Sequence, residues 1–516
     1  MSRIKLSVKT LVAVIALGQA IAAVADDGFE PPANPYLADS PWPMSHRTPY
    51  AQGSSPYPGP TGKWDLRLPQ QQATGLTNIT LAMSPRYFLG SRVYWGSTFG
   101  AVYKLRANGR GLDLIDHVDK PSGPSLSNLS NAVSGAYTLV DRDNTFFTVE
   151  GATVLAYGDK FKGLSSSPIE LRAQFTLPDS VLRGGADQDP IVGLNILWDG
   201  RLALVTKRGT VAVVNRDLSS FQSVQLGNEE GEEVSNSIAT DENGGIYVVT
   251  SEAMYRVQWT GSELSLAPET GAWRADYETG EDASGSGRLG AGSGATPSLM
   301  GTGDQDRFVV ITDGQSVAHL VLFWRDQIPA DWQPIAPGKD RRIAAEVPVN
   351  FGDPARTQTV SEQSVLVRGY GAVVVSNDYR NTGLIPKSTG DDALDNLSNG
   401  ITVALSGFPL HQPYGVHKFK WDPESRELET EWVNTDISCP NGIPTMSSET
   451  QLFYCIGARS SAWTLEALNW NSGQSAFYKL LGWDPFLNSF YAGTQIGDGG
   501  RIVSGTTFGA MELNSR

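Results

Sequence analysis

The chain has 516 residues, 40% of them hydrophobic and 18% charged, with 55 glycines, 30 prolines, two cysteines and five histidines. Its 40 Lys and Arg against 55 Asp and Glu give a net charge of −15, which excludes a nucleic-acid partner needing a basic face and disfavours anionic membrane surfaces. Two cysteines rule out a disulfide scaffold and a four-cysteine zinc site, and five histidines leave little material for a histidine-rich metal centre.

Residues 1–25 carry Arg3, Lys5 and Lys9, then an apolar run from Leu11 to Ala23, then Ala23-Val24-Ala25 before Asp26-Asp27. This pattern reads as a cleavable signal peptide, and the run is too short and ends in residues too small for a membrane anchor. Cleavage leaves 37 basic against 55 acidic residues, a net of −18, so a periplasmic or secreted protein with no membrane span is expected. Residues 26–62 hold Pro31, Pro32, Pro35, Pro41, Pro43, Pro49, Pro56, Pro58 and Pro60, which cannot support a sheet interior and predict an extended N-terminal arm.

From residue 63 onward one pattern recurs: a polar turn, a β-rich run, a Ser, Thr or Gly step, and a second β-rich run. Copies start at Ser91, Asp141, Trp198, Asp241, Asp306, Val367, Ser448 and Gly497. The first and last share GSTFGA from Gly96 and GTTFGA from Gly505. Each interval has room for one four-stranded blade, and no long helical period interrupts the Val, Ile, Tyr and Phe alternation. The prediction is an all-β chain forming a single propeller over 63–516, of eight blades, or of seven if two weak repeats share one. The last repeat ends at Leu513 without an outer strand, and Trp64-Asp65-Leu66-Arg67-Leu68 is expected to supply it, hiding the open edge.

In a propeller the innermost strands border the central channel, so the residues that open them are candidates for ligand contact. Aligned by eye, the second residue of each opening is Asn78, Asn131, Asp189, Asn236, Thr296, Glu362, Asn441 and Tyr491. A polar ring at one mouth of the channel follows. Asp189 and Glu362 open repeats three and six, across the channel, and are the candidate catalytic acid and base. Asp189, Asn236, Glu362 and Asn441 offer hard oxygen ligands suited to a divalent cation such as Ca²⁺. Asn and Asp also open strands merely by bonding local amides in Asx turns, with no ligand involved. Cys439 and Cys455 flank a turn and predict a cross-strand disulfide in an oxidising compartment, the alternative being a reactive thiol. His411 and His417, beside Tyr414-Gly415, read as turn or surface histidines.

The segment Ala467-Leu468-Asn469-Trp470-Asn471-Ser472-Gly473-Gln474, followed by Phe477, resembles a tryptophan-docking blade of quinoprotein-like propellers. In it Asn stands for the usual Asp, Ser for Thr, and Phe477 for Trp. Trp42-Pro43-Met44 and Ser55-Pro56-Tyr57-Pro58-Gly59-Pro60 are similar to the N-terminal approach of that superfamily. The vicinal cysteine pair of its quinone-dependent alcohol dehydrogenases is missing, so a pyrroloquinoline quinone cofactor is not expected. Pro440-Asn441-Gly442 and Ser235-Asn236-Ser237 resemble the metal-bearing turns of lactonase/strictosidine-synthase propellers, which implies Asn441 and Asn236 as ligands; that family is usually six-bladed. The reading is a monomeric exported enzyme that hydrolyses or isomerises a small organic molecule at the channel mouth. Its alternatives are a non-catalytic binding or interaction scaffold and a quinone-dependent dehydrogenase.

Overall fold

The computed structural model describes residues 28–514 apart from 68–69, 75–79, 99, 109–110, 123–136, 228–230, 281–291, 380–400 and 404. Residues 1–25, Asn78 and Asn131 therefore lie outside the described residues. Eight sheets form, seven of them antiparallel blades built from consecutive strands over 80–119, 139–176, 191–225, 239–276, 298–348, 366–434 and 445–482. The eighth takes Gln495–Ile496, Ile502–Thr506 and Gly509–Leu513 and is completed by Gln70–Ala73, which pairs antiparallel with the last strand. The fold is an eight-bladed propeller. Seven of the eight sequence repeats correspond to the second and third strands of one blade and the turn before them, the central hairpin where both faces are buried and β-branched residues concentrate; the copy from Val367 covers instead the end of the first strand and the second strand of blade 6.

Closure differs from the expectation in its register. Lys63–Asp65 form one turn of 3-10 helix, and Leu66 turns inward to fill the core between blades 7 and 8. The Arg67 amide bonds the Asn514 carbonyl, so pairing with the last strand begins only there and runs on through Gln70–Ala73.

The core is divided into eight hydrophobic clusters, one for each pair of neighbouring blades, including blades 8 and 1. Burial between blades is what holds the ring shut. Indole N–H groups tie the seams: Trp259 donates to Asp199 of blade 3 (2.7 Å), Trp421 to Asp306 of blade 5 (2.9 Å) and Trp95 to Asn144 of blade 2 (3.1 Å). Phe477, at the docking-tryptophan position, packs half-buried against the core between blades 7 and 8. Trp470 packs between blades 6 and 7, its carbonyl accepting from Lys418 Nζ (2.8 Å) and Trp432 Nε1 (2.9 Å).

The proline-rich arm is extended, and it is stitched around the channel. It meets the far ends of the first strands, opposite the openings. Asn34 bonds the Leu197 carbonyl of blade 3 (3.2 Å), and Leu37 and Met44 bridge to Asp141 and Leu139 of blade 2. Arm carbonyls then accept in turn: Trp42 from Met83, Pro43 from Val140, Pro49 from Thr240, Tyr50 from Leu299, Gln52 from Val367 and Ser55 from Ser448. Ser54–Ser55 pair in parallel with the first strand of blade 7. Tyr50 is the deepest pin: fully buried, its hydroxyl donates to Glu242 (2.5 Å), Arg325 lies 5.0 Å over its ring, and Trp198 meets it edge-on. Tyr50→Ala is expected to lower stability by about 3–5 kcal/mol through the cavity it leaves, and Tyr50→Phe by about 1 kcal/mol. Thermal unfolding of the two variants checks this, and equal losses would mean that the hydroxyl, not the ring, holds the arm.

Candidate functional site

The openings of the first strands lie on the face opposite the arm, but they do not form a level ring. Counted back from the last residue of each first strand, Asp189 stands seven before Ile196, and Glu362 and Asn441 six before Arg368 and Ser447. Tyr491 stands five before Ile496, while Asn236 and Thr296 stand only four before Thr240 and Met300. At about 3.3 Å per extended residue the offsets spread these side chains over roughly 10 Å along the axis.

Asp189 is fully buried, and each carboxylate oxygen accepts a backbone amide of its own blade, from Arg183 (3.0 Å) and Arg208 (2.6 Å). It braces a loop against a turn, as an Asx-type residue does. Asn236 donates to Ser235 Oγ (3.0 Å) and to the Ser293 carbonyl of blade 5 (3.2 Å). Thr296 donates to Tyr137 Oη of blade 2 (3.3 Å), a contact that spans the channel. Beneath that contact the arm fills the axis: the buried His46 ring lies 5.7 Å from Tyr137, and the Ser45 hydroxyl receives the Thr138 amide (2.9 Å).

Three ring positions do meet, at the openings of blades 6, 7 and 8. Tyr379 Oη donates to Asn441 Oδ1 (3.1 Å) and shares a hydrogen bond with Tyr491 Oη (2.9 Å). The Glu362 carboxylate lies against Gly294, where a Cβ would sit 2.8 Å from it, and the Glu362 amide is held by Asn377 Oδ1 (2.9 Å). Burial raises both phenols above the ordinary tyrosine range; the negative charge of Glu362 adds to this in each, and for Tyr491 the neighbouring Tyr379 contributes as well. Asn441 is fully buried, and its Nδ2, with two protons, has three acceptors in reach, the Val403 carbonyl (3.1 Å), Ser406 Oγ (2.6 Å) and Asn488 Oδ1 (2.6 Å). Glu362 and Tyr491 keep partial exposure. Tyr379, Asn377, Val403 and Ser406 all come from a 40-residue connection, 376–415, between the second and third strands of blade 6, into which the sequence repeat from Val367 runs through Asn377 and Tyr379.

Among the described residues, Asp313, His319 and Glu346 of blade 5 lie close enough to share a metal ion. Lys339 Nζ already bonds both Glu346 oxygens (2.6 and 2.8 Å), and Asp313 accepts from the His319 amide (2.7 Å) and Gln315 Nε2 (2.7 Å). An ammonium thus stands where a cation would. His411 lies in a turn, as expected, but is buried, and His417 is buried too, because it sits in the third strand of blade 6 with its ring against Phe351 and Phe419.

Cys439 and Cys455 form a disulfide, with Cα atoms 6.0 Å apart, joining the approach to the Pro440-Asn441 turn to the second strand of blade 7.

No family model matches the chain. An uncharacterized protein of Archaeoglobus fulgidus is 44% identical over 487 residues, covering 94% of this chain and 89% of that protein. The chain belongs to its family. Among solved structures, the quinohemoprotein alcohol dehydrogenase ADHIIG from Pseudomonas putida HK5 aligns with a TM-score of 0.53 at 13% identity over 92% of this chain and 77% of that one. A europium-containing methanol dehydrogenase gives 0.51 at 10% identity over 90% of each chain. The quinohemoprotein alcohol dehydrogenase of Comamonas testosteroni gives 0.50 at 10% over 93% and 80%. The chain therefore shares the propeller fold of these dehydrogenases. Eight blades set it apart from the six-bladed lactonase type, so ligand roles for Asn236 and Asn441 taken from that type lose their structural basis.

Burial lowers the pKa of His46 and of His417 to about 4, against roughly 6.5 in an unfolded chain. Each therefore contributes stability that is complete above pH ~6.5 and is lost as pH falls toward 4, on the order of 3 kcal/mol per residue. His319 works in the opposite sense: burial pulls its pKa down, but Asp313 and Glu346 outweigh this and raise it. Its smaller contribution is present in acid and lost as pH rises through the raised value. The melting temperature should fall between pH 6.5 and 4, and His46→Gln should flatten that fall, a slope unchanged in the variant counting against it. Reducing the disulfide should cost about 2–4 kcal/mol, and thiol titration of the denatured, unreduced protein should find no free thiol.

Proposed function

We propose that this protein is a binding propeller of an oxidising, extracytoplasmic compartment, which holds a small polar ligand at the rim of its opening face without turning it over. The observation that carries the reading is the separation of the two carboxylates. Asp189 spends both oxygens on amides of blade 3, while Glu362 lies with Tyr379 and Tyr491 at blades 6 to 8. General acid–base catalysis needs both groups within hydrogen-bond reach of one substrate. Calcium needs six or more oxygens turned toward one point, whereas the Asp189 oxygens face the Arg183 and Arg208 amides and Asn441 Oδ1 faces Tyr379 Oη. Glu362 and Tyr491, partly exposed, are left as the groups that reach a ligand, favouring one that donates hydrogen bonds or carries positive charge.

The fold of the dehydrogenases raises the question of a quinone, and the residues here do not fit one. The two cysteines are tied across blade 7 and are 16 apart in sequence, and the axis is taken up by His46 and Ser45 against Tyr137. The disulfide supports an oxidising compartment, and the ring closes on itself, so we read the protein as a monomer.

The purified protein should hydrolyse no lactone or ester, and chelation should leave its melting temperature unchanged. Glu362→Gln should leave folding and metal content as they are. Calcium that copurifies in stoichiometric amount and is lost in Glu362→Gln, or turnover abolished by that change, would overturn the binding reading in favour of a metal-assisted hydrolase.

A further inference from the structure

Two turns on the arm-side face project apolar side chains into solvent. One joins the first two strands of blade 1 and carries Phe88 and Leu89, 97% and 90% exposed. The other joins the last two strands of blade 2 and carries Phe161 and Leu164, 54% and 56% exposed. They stand side by side, because Tyr87 Oη donates to Asp159 Oδ2 (2.8 Å) immediately before each tip.

Neither turn is a loose loop. In the first, Gly90 takes φ +82° and its amide bonds the Tyr87 carbonyl (2.7 Å), while the Tyr87 amide bonds Ser91 (2.9 Å). In the second, Gly163 takes φ +85°, the Phe161 amide is held by Ser167 Oγ (2.7 Å) and the Lys160 amide by the Pro168 carbonyl (2.9 Å). Left-handed glycines set both tips outward at no steric cost. The apolar ends are thus pre-ordered for a partner, with little entropy left to lose.

The charge around them runs against that of the whole chain. Lys160 and Lys162 are exposed and make no ion pair among the described residues. Arg86 and Arg92 share the single carboxylate of Asp498 (2.9 and 3.0 Å), with the exposed Asp39 beside Arg92 as the second acidic residue, so the excess of positive charge rests on Lys160 and Lys162. The acidic residue within the second turn's base, Asp159, is buried and neutralised by Lys104. Screening limits the reach of a surface charge to about 8–10 Å, so an approaching surface meets this local basic patch rather than the net −15 of the chain.

We propose that these paired turns are a lipid-docking knob, whose Phe and Leu tips enter the interface of an anionic bilayer while Lys160 and Lys162 pair with its headgroups. A folded protein partner is the less suitable occupant, since stable interfaces bury about 800 Å² per side on broad complementary surfaces, whereas four side chains on two narrow tips suit a deformable phase. Apolar tips ringed by lysine are the chemistry of interfacial binding. This proposal does not depend on the ligand-binding reading of the opening face.

Flotation of the purified protein with vesicles of phosphatidylcholine alone, and of phosphatidylcholine mixed with phosphatidylglycerol, tests it. The protein is expected to float with the anionic vesicles, less so at high salt, and weakly with the neutral ones. Phe88→Ser with Leu89→Ser should weaken binding roughly tenfold or more, and Lys160→Glu with Lys162→Glu should remove the preference for anionic lipid. Because all four positions are exposed, circular dichroism and melting temperature should match the parent, which separates lost docking from lost folding. Wild-type protein that stays with neither vesicle, or floats equally well after both pairs of changes, overturns the proposal. So does a self-association in solution that the Phe88 and Leu89 changes abolish, which would make the knob a protein interface.

Discussion

The first strands of the blades do not pair with one another, so each presents unmatched backbone amides and carbonyls to the axis, and buried groups of this kind must find partners. In this protein the innermost strands run from two to six residues, too short to hide those groups behind their own side chains. The arm supplies the partners. Its carbonyls at Trp42, Pro43, Pro49, Tyr50, Gln52 and Ser55 accept from blades 1, 2, 4, 5, 6 and 7 in turn, and prolines suit that task because an element that mostly accepts loses nothing by lacking an N–H. Side chains complete the lacing. Asn195 Nδ2 bonds Ile238 O (2.8 Å), Ser298 Oγ bonds Val365 O (2.7 Å) and Gln495 Nε2 bonds Leu81 O (2.8 Å), each joining adjacent blades.

That demand decides the fate of the polar residues near the channel. Asn, Asp, Ser and Thr are the residues able to bond main-chain groups locally, and Asp189 is the clear case at the openings. Asn236 and Asn441 are spent instead on distant partners, Ser293 O for the first and Val403 O, Ser406 Oγ and Asn488 Oδ1 for the second. A polar ring in the sequence of a propeller is thus first a record of how the first strands are satisfied, and only the members that keep exposure retain a part in recognition.

The propeller itself was legible because the second and third strands of each blade are buried on both faces and so repeat in hydrophobicity, while the turns between them use Asp and Gly in a fixed way. Asp141 and Asp241 each accept two turn amides through Oδ1. The first strands carry no such constraint. Their lengths and bulges vary, as at Ile191 and Gly193, and an alignment by residue type slid by as much as three positions. Two further features escaped for the same reason. Tyr379 falls at the tail of the sixth sequence repeat, beyond the end of its strand at Val375, where the pattern assigns no side chain to the channel, and the arm makes its contacts largely through main-chain carbonyls, which leave no mark on residue identity. The outer strand was placed too early because Leu66 looks like a strand residue but serves the core between blades.

Stabilising devices collect at blades 6 to 8, and the reason lies in how the ring closes. Blade 8 owns only three strands and borrows the fourth from the N-terminal side, so the ring would open where that borrowed strand meets Gly509–Leu513. The disulfide stiffens blade 7, Leu66 fills the gap, and Asn441 joins Val403, Ser406 and Asn488 in one buried network across the openings. Tyr379 extends that network to Tyr491 on blade 8. The exposed edge of this network, Glu362 and Tyr491, thereby rests on the most heavily braced part of the ring. A ligand held there meets side chains whose positions are already fixed, so little ordering cost remains to be met on binding.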